Sequence, residues 1–91
     1  MDFLNEYRQK INNIYSYLKE QGRTKEVFPV ILEFRKETEE YLSSCKDEMM
    51  YAVVYNTLAT IMTAPEGCSY FQLEEAIKDA LNEIDMMKEY M

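Results

Sequence analysis

SSCKDEMMYAVVYNTLATIM, residues 43–62, decides the fold. From Met49 onward it carries no charge, Gly or Pro, so nothing in it interrupts a helix. The junction before it also lacks Gly and Pro. The apolar run that starts near Val27 could therefore continue through it as a single helix of about 35 residues, roughly 50 Å long. Rotation argues for a break instead. At about 100° per residue, the best stripe after the junction, Met50, Val54, Leu58 and Ile61, points roughly 150° away from the stripe before it. One straight helix would have its halves facing opposite ways, so the chain is expected to break at Ser43–Asp47, with Ser44 and Asp47 as a capping-box start.

Working outward, the second helix is expected to begin near Thr24 or, after an irregular turn, near Pro29, because Pro suits a first helical turn. Its predicted buried stripe is Val27, Val30, Ile31, Phe34, Tyr41, Leu42 and Cys45. Glu33, Arg35, Lys36, Glu37, Glu39 and Glu40 fill the other side. The first helix is expected to start after Asp2 as cap and to stop at Gly22. Leu4, Tyr7, Ile11, Ile14 and Leu18 recur at the 3 and 4 spacing of a buried seam, Tyr15 lies beside them, and Tyr17 falls about 100° away. Beyond the breaker APEG at 64–67, Ser69 and Gln72 form an S-x-x-Q capping box. Leu73, Ile77, Ala80, Ile84, Met87 and Met91, with Leu81 beside them, give the last helix its seam.

Two Gly and two Pro among 91 residues leave little of the punctuation that strands need. The reading is therefore one all-α domain over residues 1–91, a small antiparallel four-helix bundle with helices near 3–21, 25–43, 47–63 and 70–90. Short turns make consecutive helices antiparallel neighbours.

The third helix is apolar or aromatic over roughly 250° of arc, where a bundle helix needs little more than about 100°. Asn56, Thr57 and Thr60 supply its only polar side. Beside the inward seam runs a second one of Tyr51, Ala52, Tyr55, Ala59 and Met62. Its heptad spacing and small Ala residues would let another backbone approach closely. Either this helix sits between two neighbours of its own chain with the tyrosines as rim residues, or the face docks a second copy or another protein; the expectation carried forward is a homodimer.

Charge supplies the second signal. The net charge is −7. Residues 1–46 hold eight basic and eight acidic groups, whereas residues 47–91 hold two basic and nine acidic ones, so the whole excess lies in the second half. On the last helix, Glu74, Glu75, Asp79, Glu83, Asp85 and Glu89 lie opposite the seam. Glu75, Asp79 and Glu83, with Met86 and Tyr90 as apolar anchors, form the candidate surface for a basic protein partner. The same sign disfavours direct nucleic-acid or membrane-surface binding.

The chain has no His, which removes the commonest general base and transition-metal ligand. It has no phosphate-binding loop, dinucleotide fingerprint, zinc pair or EF-hand loop. No catalytic residue, cofactor site or metal site is expected, and the predicted role is non-enzymatic: an acidic interaction module that regulates or inhibits a basic partner. Two other readings use different features. Tyr15, Tyr17, Lys19, Arg23 and Lys25 could serve a helical protein that sequesters an anionic small molecule, or the chain could be a structural subunit of a larger assembly.

Cys45 is expected on a buried stripe and Cys68 in a loop. A helix of roughly 25 Å separates them, too far for a disulfide, which needs Cα atoms within about 7 Å. Free thiols, the absence of a secretory or transit pattern in MDFLNEYRQK, and an uncharged run too polar and short to span a bilayer predict a cytoplasmic protein.

Overall fold

A computed structural model describes residues 3–89 as four helices, α1 (Phe3–Gln21), α2 (Phe28–Ser44), α3 (Glu48–Ile61) and α4 (Tyr70–Lys88). They form the all-α four-helix bundle that the sequence predicts. The Asp2 cap, Tyr90 and Met91 lie outside the described residues.

Each boundary has a local cause. Gly22 closes α1 in the left-handed region, at φ 74°, with its N–H donating to the Leu18 carbonyl at 2.8 Å. Residues 24–27 make a turn in which the Thr24 carbonyl accepts from the N–H groups of Val27 (2.9 Å) and Phe28 (3.1 Å). Then α2 starts with Pro29 in its first turn, where the missing N–H costs nothing. The irregular-turn start is thus the one realised, three residues later than position 25.

The break between α2 and α3 is real and short, but its cap differs from the expected one. Asp47 is the N-cap: its side chain accepts from the N–H groups of Met49 (3.0 Å) and Met50 (3.1 Å). Ser44 is still the last residue of α2, and its hydroxyl donates back to the Tyr41 carbonyl at 3.3 Å. Cys45 separates the two in extended backbone, at ψ 124°, which ends one helix before the next begins. At α4 both halves of the Ser69/Gln72 capping box form.

Cross-helix contacts set the topology. Along α1, Asn5, Arg8 and Tyr15 meet Lys88, Asp85 and Glu74 of α4, so ascending numbers on one helix meet descending numbers on the other. The Phe3 and Tyr41 rings stack 4.0 Å apart and the Tyr7 and Phe34 rings lie 5.3 Å apart, which makes α1 and α2 antiparallel as well. The α4 helix packs along both α1 and α3, and α3 along α2. All four helices contribute to one core, within which Ile11, Leu18, Ile31, Ile61, Leu73, Ile77 and Ile84 are fully enclosed.

The core departs from the expected stripes in α2 and α3. All five seam residues of α1 are buried, and Tyr17 also packs half-buried against the core. On α2, Val30 and Leu32 are exposed, at 39% and 50%, while Phe28 and Thr38 are buried. On α3 the inward set is Val53, Val54, Thr57, Leu58 and Ile61, with Met50 only half-buried. Thr57, read as part of the polar side, is completely enclosed. Its hydroxyl donates to the Val53 carbonyl at 2.7 Å, which removes the penalty that would otherwise keep it outside. Cys45 and Cys68 are both free; Cys68 lies in the loop before α4, as expected, and is buried there, whereas Cys45 is only half-buried at the end of its stripe.

Candidate interaction surface

The inward set of α3 occupies an arc of about 140° when each residue advances by about 100°. Met50 packs half-buried within the same arc, and Tyr51, Ala52, Tyr55, Asn56 and Ala59 face away from the core. Tyr51, Ala52, Tyr55 and Ala59 are all exposed, with Tyr51 at 42% and Tyr55 at 53% of their free area, and Met62 is half-buried at the end of the strip. The two tyrosines, one turn apart, lie ring to ring at 6.0 Å with planes only 10° apart. They form a flat aromatic step flanked by small Ala residues. α3 has α2 and α4 packed along it, and none of the described helices covers this strip.

Neighbouring helices divide the acidic face of α4 into two parts. On the α1 side, Asp85 takes both a 2.7 Å and a 3.0 Å bond from the Arg8 guanidinium, and Glu74 accepts from the Tyr15 hydroxyl at 3.5 Å. The Arg8 hydrogen bonds hold the Asp85 carboxyl below its usual range. These two carboxylates face α1 and tie it to α4.

On the α3 side lie Glu75, Asp79 and Glu83. The Thr60 hydroxyl sits 2.8 Å from both Glu83 oxygens and 3.0 Å from the Asn56 carbonyl, so one proton is shared among three acceptors and the carboxylate is held against α3. Glu75 has Lys78 at 3.9 Å, a surface pair of little strength. Two grooves run along this seam between α3 and α4. One, of about 410 Å³, is lined by Asn56, Ala59, Thr60, Thr63, Glu83, Met86 and Met87. The other, of about 380 Å³, is lined by Thr63, Ala64, Phe71, Gln72, Glu75, Ala76 and Asp79. Thr63 lines both, so the two grooves adjoin at that residue and are together called the trough, and Ala59 belongs both to it and to the tyrosine strip.

Of the residues expected to bind a partner, the structure therefore brings together Ala59, Glu75, Asp79, Glu83 and Met86 around the trough, and Tyr51, Ala52, Tyr55 and Met62 along the strip beside it. Phe71 was not anticipated. It is the most exposed large apolar residue described, at 74%, and its signal was available: it sits four residues before Glu75 on the same stripe of α4.

The aromatic and basic group near the end of α1 is less open. Lys19 lies over the Tyr15 ring at 5.1 Å and Arg23 pairs with Glu26 at 3.8 Å, so two of its three cations already face partners. Burial pushes the Cys68 thiol up, away from the reactive thiolate. No group of three or more His, Cys, Asp or Glu among the described residues is placed to hold a metal ion. Among the described residues no helix is long and apolar enough to cross a membrane. The chain matches no protein-family model, no curated protein and no solved structure.

Proposed function

We propose that this protein is a non-enzymatic interaction module that pairs with a second copy through the outer face of α3 and presents its acidic α4 to a basic protein, which it regulates or inhibits. The observation that carries this reading is the exposure of Tyr51, Ala52, Tyr55 and Ala59 together on a helix with no charge between Met49 and Thr63. Contiguous exposed apolar area on a water-facing helix is a binding surface by default. Two copies that each carry a net charge of −7 repel one another. The uncharged strip is where they can approach at least cost, with Ala52 and Ala59 admitting the other backbone and the tyrosines supplying rigid area. A C2 pairing uses the same patch twice, and such pairing is the commonest form of self-association.

Sedimentation of the wild type and of Tyr55→Glu tests it. The expected outcome is a dimer at high micromolar concentration for the wild type and a monomer of unchanged helicity for the variant, because the new carboxylates would face each other across the interface. A wild type that remains monomeric at that concentration removes the self-pairing.

A further inference from the structure

The geometry points to the α3/α4 trough as a receptor for a basic amphipathic helix of another protein. This rests on the reading of the chain as an interaction module and gives its partner a chemistry. Phe71, Glu75, Asp79, Glu83 and Met86 follow one another along α4 at spacings of four, four, four and three, which places them within an arc of about 120°. The two ends of that stripe are exposed apolar side chains, Phe71 at 74% and Met86 at 61%. The middle is three carboxylates, and among the described residues the ion pair they make is that of Glu75 with Lys78, at 3.9 Å. The opposite wall, Asn56, Ala59 and Thr60 of α3 with Thr63 of the turn that follows it, carries no charge.

An occupant matching this surface needs apolar residues at both ends and positive charge between them, facing one way over roughly 22 Å, the rise of α4 from position 71 to 86 at about 1.5 Å per residue. A helix of about four turns meets that requirement, with apolar anchors seated at Phe71 and Met86 and Arg or Lys aligned with the carboxylates. An acidic helix would be repelled. A purely apolar one would strip water from three carboxylates without pairing them. Glu83 is already held in place by Thr60, so one of the three charges is ordered before the partner arrives.

The test is fluorescence anisotropy with a labelled synthetic helix of about 18 residues, long enough for four turns and carrying Arg at three positions four apart with Leu at both ends. The expected result is saturable binding that Asp79→Lys weakens about tenfold and Phe71→Ala weakens several-fold. Glu40→Lys, which makes the same change in net charge on an exposed position of α2, should leave it within about twofold. Binding should also fall as salt shortens the screening length. Equal losses from Asp79→Lys and Glu40→Lys, or equal binding of a scrambled peptide of the same composition, would overturn the inference, since either would mean only an attraction to net charge. The two proposals can fail separately. A wild type that dimerises but binds no peptide sinks the trough and leaves the self-pairing; a monomer that binds the peptide, as Tyr55→Glu also should, does the reverse.

Discussion

Thr57 and Tyr7 show how a polar atom survives in this core. The Thr57 hydroxyl is satisfied by the carbonyl of its own helix one turn back, so it demands nothing of its neighbours. Thr57→Val keeps the shape and removes donor and desolvation penalty together. It should change stability by less than about 1 kcal/mol in urea denaturation, whereas Thr57→Asp should destabilise severely by burying a charge. Tyr7 reaches across the bundle, its hydroxyl 3.4 Å from the Val54 carbonyl. Burial pushes its phenol well above the usual value, and the Thr38 hydroxyl pulls less strongly the other way. Since the folded pKa is the higher one, the contribution of Tyr7 is complete below the unfolded value of about 10 and is lost as pH rises beyond it. Unfolding free energy should fall above about pH 10 with a slope approaching 1.4 kcal/mol per pH unit, and Tyr7→Phe should flatten that fall. A slope unchanged in Tyr7→Phe would assign the alkaline loss to other groups.

At the scale of the element, the α2–α3 junction rests on Asp47. An N-cap that accepts two backbone N–H groups satisfies donors that no helix carbonyl can reach. Asp47→Ala should cost about 1 kcal/mol, the usual worth of a cap. Ser44→Ala should cost less than about 0.5 kcal/mol, the range of an ordinary surface change, because the Ser44 hydroxyl bonds only a carbonyl within its own helix. Reversed costs in thermal or urea unfolding would restore Ser44 as the start of α3. The stop and start signals around Gly22 and at Ser69 and Gln72 were legible because capping is written in neighbouring residues. The choice between Ser44 and Asp47 was not, since either oxygen could have served until the extended backbone at Cys45 placed one of them.

Across the whole molecule, negative charge concentrates in α4 and the turns beside α3. Among the described residues, Arg8 and Lys88 act on Asp85 and Lys78 pairs with Glu75, which neutralises part of it. Self-repulsion therefore works against the folded state. Raising salt from about 0.01 M to about 1 M shortens the screening length from roughly 30 Å to 3 Å, and stability should rise by about 1 kcal/mol, less so in a Glu75→Gln, Asp79→Asn double variant. A fall in stability with salt would mean that the ion pairs outweigh the repulsion. The α1–α2 contact also belongs to this scale. The two helices meet through stacked rings at one end, and further along they leave an open groove of about 510 Å³ that Ile14, Val30 and Phe34 line. That separation is why Val30, placed on the buried stripe by spacing, remains at the surface.

The all-helical class, the seam of α1, the glycine stop, the capping box of α4 and the existence of a break before Asp47 could all be read from residues close together in the chain, because propensity, caps and periodicity are local properties. Only packing could decide which arc of α3 turns inward. A helix apolar over most of its circumference has no strong preferred direction, and it was the placement of α2 and α4 on two of its sides that buried Thr57 and left Tyr55 outside. The same neighbours divided one acidic face into carboxylates that hold α1 and carboxylates that line a trough, a distinction that depends on Arg8 and Thr60, residues far from them in the chain and brought close only by the fold.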